Sequence, residues 1–281
     1  MAIYHCSMKI GSRSQGKSAV ASNAYREGKK ITDERTGLVH DYSKKSDVIE
    51  SLTITPSNAP ESFSDSARLW NEVEKIEKRK DAQLFREVEV SLPRELSHQQ
   101  NKALTLEFVK QNFVEKGMCA TVSFHESKSE NPHAHIMLTT RTVDKNGFGH
   151  KDRSWNARDL VENWRKSWAD ITNKYLKNNK IEQTIDHRSF ERQGIDKKPT
   201  IHLGHVAHEM EKRGVKSERG DLNREVERSN LSSLSSEMAM GIAQARDGFK
   251  HYRQQKAQQE KALKEQQQQE RQNIKGMGMS R

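Results

Sequence analysis

Over Gln83 to Leu92 the side chains alternate, with Leu84, Val88, Val90 and Leu92 on one side and Phe85, Glu87, Glu89 and Ser91 on the other. Arg86 is the one polar residue on the first side. Successive strand residues face opposite ways, so this segment is expected to be a half-buried strand, ended by Pro93. The pattern also predicts strands over Ala2 to Ile10, Val48 to Thr53, Met118 to Glu126 and His133 to Thr140. The last two form an antiparallel pair across a Ser-Lys-Ser-Glu-Asn-Pro loop.

Helical spacing lies between these strands. Ser18 to Glu27 is Ala-rich and stopped by Gly28, and Leu69, Val73 and Ile76 share one face of Ser64 to Lys78. Ser97 to Glu115 carries Leu104, Phe108 and Val109 inward and ends at Gly117. After Gly147-Phe-Gly the pattern is read as helical, with Trp164, Trp168, Ile171 and Tyr175 as a core stripe. Strands interleaved with helices predict an α+β fold, an antiparallel sheet covered by helices as a two-layer or three-layer sandwich. Beyond about residue 200 no strand is expected. From His251 to Arg271 the chain is Gln, Lys and Glu, a solvated helix or disordered tail that cannot bury a face.

Composition narrows the class. Hydrophobic residues make up 32% of the 281 and mean hydropathy is −1.01, which fits one compact domain with a polar appendage. No apolar run approaches the roughly 18 residues of a membrane span, and MAIYHCSMKIGSRS lacks an apolar leader core. Cys6 and Cys119 are too few for a disulfide framework. Together these place the protein in the cytoplasm without membrane insertion. The net charge of +10 favours a polyanionic partner. Residues 1–30 concentrate it: Lys9, Arg13, Lys17, Arg26, Lys29 and Lys30 stand against the single acid Glu27. Arg13, Lys17 and Arg26 are candidate DNA phosphate contacts on charge alone.

His125, His133 and His135 are the first chemical candidates. His133 and His135 point to one face of a strand, and a hairpin can bring His125 beside them. Three neutral imidazoles suit a divalent metal, and open coordination positions would admit phosphate oxygens. Tyr25, inside the basic segment, is the second. A phenol ionises near pH 10, so attack on phosphorus needs a cation or base beside it; taken alone, a helix tyrosine is more often a packing residue. Glu87 and Glu89 share a strand face. If that face meets the histidines, one of them could fix an imidazole tautomer or take the Tyr25 proton; the alternation fits either.

These residues together resemble the MobA/MobL relaxases of mobilisable plasmids, in the HUH endonuclease group. The matching blocks are Ala2-Ile-Tyr-His-Cys-Ser-Met-Lys with Gly11-Ser-Arg-Ser, Ala24-Tyr25-Arg26, Phe85 to Pro93, Asn131-Pro-His-Ala-His-Ile-Met137, and Asp186 to Ile195 with Ile201-His-Leu-Gly204. The resemblance covers roughly residues 1–205, and implies a relaxase domain there with a helical, polar extension over 206–281. It implies site- and strand-specific nicking of single-stranded DNA at a plasmid transfer origin, and later rejoining, through a 5′-phosphotyrosyl link on Tyr25. It further implies Mg or Mn on His125, His133 and His135, and Glu87 as the acidic residue, which its distance from Pro93 favours over Glu89. Plasmid accessory and coupling proteins are the protein partners such a role brings. The chain has no Gly-x4-Gly-Lys-[Ser/Thr] loop, so no ATP-driven motor is expected in it. A rolling-circle replication initiator would use the same chemistry, whereas a DNA-binding scaffold would use none. A water-using nuclease would leave no protein on the DNA.

Overall fold

The computed structural model describes residues 4–126, 131–232 and 238. The chain falls into two compact units, Met1–His187 and Arg188–Arg281.

In the first unit the elements run β1 (Cys6–Ser12), α1 (Ala19–Glu27), β2 (Lys30–Thr32), β3 (Val39–Asp41), β4 (Val48–Ile54), α2 (Ser66–Ile76), β5 (Gln83–Ser91), α3 (His98–Asn112), β6 (Ala120–His125), β7 (His133–Leu138), β8 (Arg141–Asp144), β9 (Gly147–Lys151) and α4 (Arg158–Asn178). The main sheet has the order β1-β5-β7-β6-β4, and each neighbouring pair is antiparallel. Residues directly opposite across a ladder share a face. On one face Val88, Ile136, Val122 and Phe124 pack with Leu104 and Phe108 of α3 and Trp164 and Trp168 of α4. On the other, Phe85 and Met137 pack with Ala24 of α1 and Leu69 and Trp70 of α2. Helices therefore cover both faces, giving a three-layer α+β sandwich.

The helix ends follow their caps. Ser18 accepts from the Ala21 amide to start α1, and Gly28, at φ 62°, ends it. Ser97 and Gln100 form a reciprocal capping box at α3. Asp65 is the N-cap of α2 and accepts from the Ala67 amide. Gly11 lies opposite Phe85, and a methyl group there would meet the Phe85 ring at 2.2 Å; the missing side chain makes room for the aromatic ring.

Two expectations change. The first strand begins at Cys6 and runs on to Ser12. The segment at Gly147 is a strand before any helix begins: β8 and β9 pair through a turn in which Asp144 accepts from the Asn146 amide and Gly147 takes φ 97°. A second hairpin, β2–β3, turns on Asp33, which accepts from the Arg35 and Thr36 amides. Arg86, the exception on the apolar strand face, is buried over the Trp155 and Trp164 rings and donates to Asn156 Oδ1 at 2.7 Å.

The first unit ends soon after Ile185, whose amide and carbonyl are both held by Asn173 of α4 at 2.8 Å. The second unit contains α5 (Phe190–Gln193), α6 (Gly204–Lys212) and a helical run over 218–232. Asn223 and Asn230, seven apart on that run, clamp the backbone of Ile201 and Lys198 with both amide atoms. The tail expected from His251 to Arg271 lies outside the described residues. Among the described residues no helix is long and apolar enough to cross a membrane. Cys6 and Cys119 are free and buried, and burial pushes both thiols up to about 12.

Candidate active site

The register of β5, β7 and β6 assembles the site. Glu89 lies opposite His135, which lies opposite Ser123; His125 lies opposite His133. Glu87, Glu89 and the three histidines therefore share one sheet face, the face that α1 covers. Ring centroids of the histidines lie 4.9–5.3 Å apart, and one ligand atom from each falls within 4.8 Å of the others.

Each imidazole is oriented by a fixed acceptor. His133 Nδ1–H donates to the Asn131 carbonyl at 2.8 Å, and His135 Nδ1–H to Glu87 Oε1 at 2.9 Å. His125 Nε2–H donates to the Arg26 carbonyl at 2.7 Å. A neutral imidazole that donates through one nitrogen keeps a lone pair on the other, so each ring retains one ligand atom. Burial pushes His125 down to about 4; the Arg26 carbonyl opposes this, and the charges of His135, Lys45 and His133 add to it. Burial also lowers His133, against the Asn131 carbonyl. Neutral rings, each steered by a second partner, are the donor set a divalent ion requires.

Arg26 grips Glu87 as a fork, Nε and Nη2 each 2.6 Å from a carboxylate oxygen, and its Nη1 returns to the Ser22 carbonyl. Burial would raise the Glu87 carboxyl, but hydrogen bonds from His135 and Arg26 outweigh it and bring the group to about 2. Glu89 pairs instead with Lys9 at 3.2 Å and lies 3.9 Å from His5.

Tyr25, on the last turn of α1, is 49% exposed. It lines an open cleft of about 680 Å³ with Lys9, Lys17, Arg26, Tyr42 and Glu87. The structure thus brings Tyr25, Lys17 and Arg26 to one place. Arg13 is elsewhere. Its guanidinium meets Glu74 Oε2 at 2.5 Å and the Glu77 and Arg79 carbonyls, because Glu74 also accepts from the Ala19 amide at 2.6 Å and anchors the start of α1. The cation over the Tyr25 ring is also not its neighbour Arg26, which is spent on Glu87, but Lys45. Sequence reasoning missed Lys45 and Asp47, which sit in an aperiodic polar run from Asp41 to Asp47.

The MobA/MobL family model matches residues 17–213. The chain belongs to the MobA/MobL family. The mobilization protein MobL of Acidithiobacillus ferridurans is 36% identical across 86% of this chain and 72% of its own length. The conjugal transfer protein TraA of Agrobacterium fabrum is 37% identical across 80% of this chain, which spans only 24% of the TraA length. A solved structure described as the molecular basis of vancomycin resistance transfer in Staphylococcus aureus superposes with a TM-score of 0.63 and 34% identity. It covers 67% of this MobA/MobL chain and 100% of its own.

Proposed function

We propose that this MobA/MobL chain nicks and later rejoins one DNA strand at a plasmid transfer origin, in the cytoplasm, holding the cut 5′ end on Tyr25. One observation carries the proposal: a continuous chain of hydrogen bonds joins the helix bearing Tyr25 to the histidine cluster. His125 donates to the Arg26 carbonyl, the Arg26 side chain forks Glu87, and Glu87 accepts from His135. A nucleophile and a phosphate-holding centre need this kind of mutual fixing, since small misplacements are costly in rate.

His125, His133 and His135 would hold a divalent ion, Mg or Mn, that supplies Lewis-acid polarisation of the scissile phosphate. Tyr25 Oη forms the bond to phosphorus as the bond from phosphorus to the 3′ oxygen breaks. The phenolic proton leaves to water and the 3′ oxygen gains one. The phosphotyrosyl ester conserves the bond energy, so the reverse reaction rejoins the strand without ATP. Glu87 anchors His135 and Arg26 rather than deprotonating Tyr25, since a carboxyl held near 2 is a weak base. Lys17 and Lys9 flank the cleft and would meet the phosphates of the single strand.

The test is incubation with single-stranded origin DNA and Mn or Mg, followed by a denaturing gel and mass spectrometry of the adducted peptide. Wild type yields a denaturant-resistant adduct on Tyr25, and Tyr25→Phe yields none while still binding DNA. Cleavage that leaves free 5′ ends, or an adduct that survives in Tyr25→Phe, would overturn the proposal.

A further inference from the structure

The Lys45 ammonium lies 3.8 Å from the centroid of the Tyr25 ring, over its face, while Tyr42 meets the same ring edge-on at 5.2 Å. Only 18% of the Lys45 side chain is exposed, and its carboxylate neighbour Asp47 stands 3.6 Å away. Asp47 in turn lies 3.6 Å from His125 Nδ1. Lys45 therefore stands between the tyrosine and the histidine cluster.

Its position is built in. The Lys45 amide donates to the Tyr42 carbonyl at 3.0 Å, closing a turn, and the Glu126 amide donates to the Asp47 carbonyl at 2.9 Å. Gly28 lets this loop close on the end of α1. A methyl group there would lie 3.5 Å from Lys45 Cβ and 3.2 Å from Val48 Cγ2, and the backbone is at φ 62°.

An ammonium over an aromatic face is attracted by the π electrons. The attraction grows when the phenol loses its proton, because a full negative charge then faces the cation. The other charged groups round the cleft are engaged differently. Arg26 forks Glu87, Lys9 reaches Glu89, and Lys17 lines the wall. We propose that Lys45 is a positioning residue for Tyr25, fixing the ring and holding a counter-charge against it as the hydroxyl becomes a nucleophile. This rests on Tyr25 being the nucleophile.

Lys45→Met keeps the stem and removes the charge, whereas Lys45→Arg keeps the charge. Tetranitromethane nitrates the tyrosine phenolate, so it reports on the ring without DNA or metal. Peptide mass spectrometry would follow Tyr25 against the distant Tyr175 in the full chain, from about pH 7 to about pH 11, which brackets tyrosine ionisation. Lys45→Met is expected to slow nitration of Tyr25 several-fold, because the phenolate that the reagent attacks loses the counter-charge over its ring. Tyr175 should be unaffected, and Lys45→Arg should recover most of the rate. Adduct formation on single-stranded origin DNA should fall in parallel, with unaltered DNA binding. Equal nitration of Tyr25 in wild type and Lys45→Met at every pH overturns the role of Lys45 alone. An adduct surviving in Tyr25→Phe defeats the nucleophile reading and this role with it.

Discussion

His125 and Glu87 must both stay unprotonated for the site to keep its shape. As pH falls, the unfolded chain takes up a proton on a histidine near 6.5, but folded His125 resists until about 4. Stability is therefore lost between those values. Glu87 acts in the same direction at lower pH: its contribution is present above about 4.5 and lost as pH falls toward its folded value of about 2. Calorimetry of the metal-free protein should show the melting temperature falling from about pH 6.5 to about pH 4. His125→Gln should make that limb shallower, leaving the share that the lowered His133 contributes, without touching the one below it. An unchanged limb in the variant would mean His125 is not the group resisting protonation.

At the scale of elements, α1 is pinned at both ends by charge. Glu74 of α2 holds its start, accepting from the Ala19 amide, Arg13 and Arg35, and Glu87 holds its last turn through Arg26. Arg13→Ala should therefore cost stability, about 2 kcal/mol for the charged hydrogen bond lost while Glu74 keeps Arg35 and the Ala19 amide, and leave the salt dependence of DNA binding alone. Lys17→Ala should do the reverse, lowering the slope of log affinity against log salt by about 0.7, the value for one single-strand phosphate contact. Urea unfolding and salt-titrated fluorescence anisotropy separate the two. Charge alone made Arg13 and Lys17 look alike in the sequence; only the approach of Glu74 and of the Glu77 and Arg79 carbonyls to Arg13 distinguishes them. The alternation of β5 and the Gly28 stop of α1 were legible because each is a local signal, whereas α3 ends at Asn112, short of the expected Glu115. The β8–β9 hairpin carried the Asn146-Gly147 turn pair, but its strands are too short to alternate visibly. Lys45 and Asp47 owe their place to closure of a loop on Gly28, which no periodicity announces.

Across the whole molecule, the residues of the candidate site lie within the first compact unit. Residues 1–187 made alone should unfold cooperatively and gain stability from Mn, about 2.7 kcal/mol at a hundredfold excess over the dissociation constant. His135→Ala should remove that gain in the full chain and in the shorter one alike. A gain confined to the full chain would place part of the site beyond residue 187. One contact constrains how such a protein could be re-engineered. His125 is held by the main-chain carbonyl of residue 26, so no side-chain exchange at that position deletes the acceptor. A designer can rewrite the walls of the cleft to suit another DNA sequence while the helix stays fastened to the histidines. An insertion in α1, which rotates every carbonyl that follows it, would unfasten it.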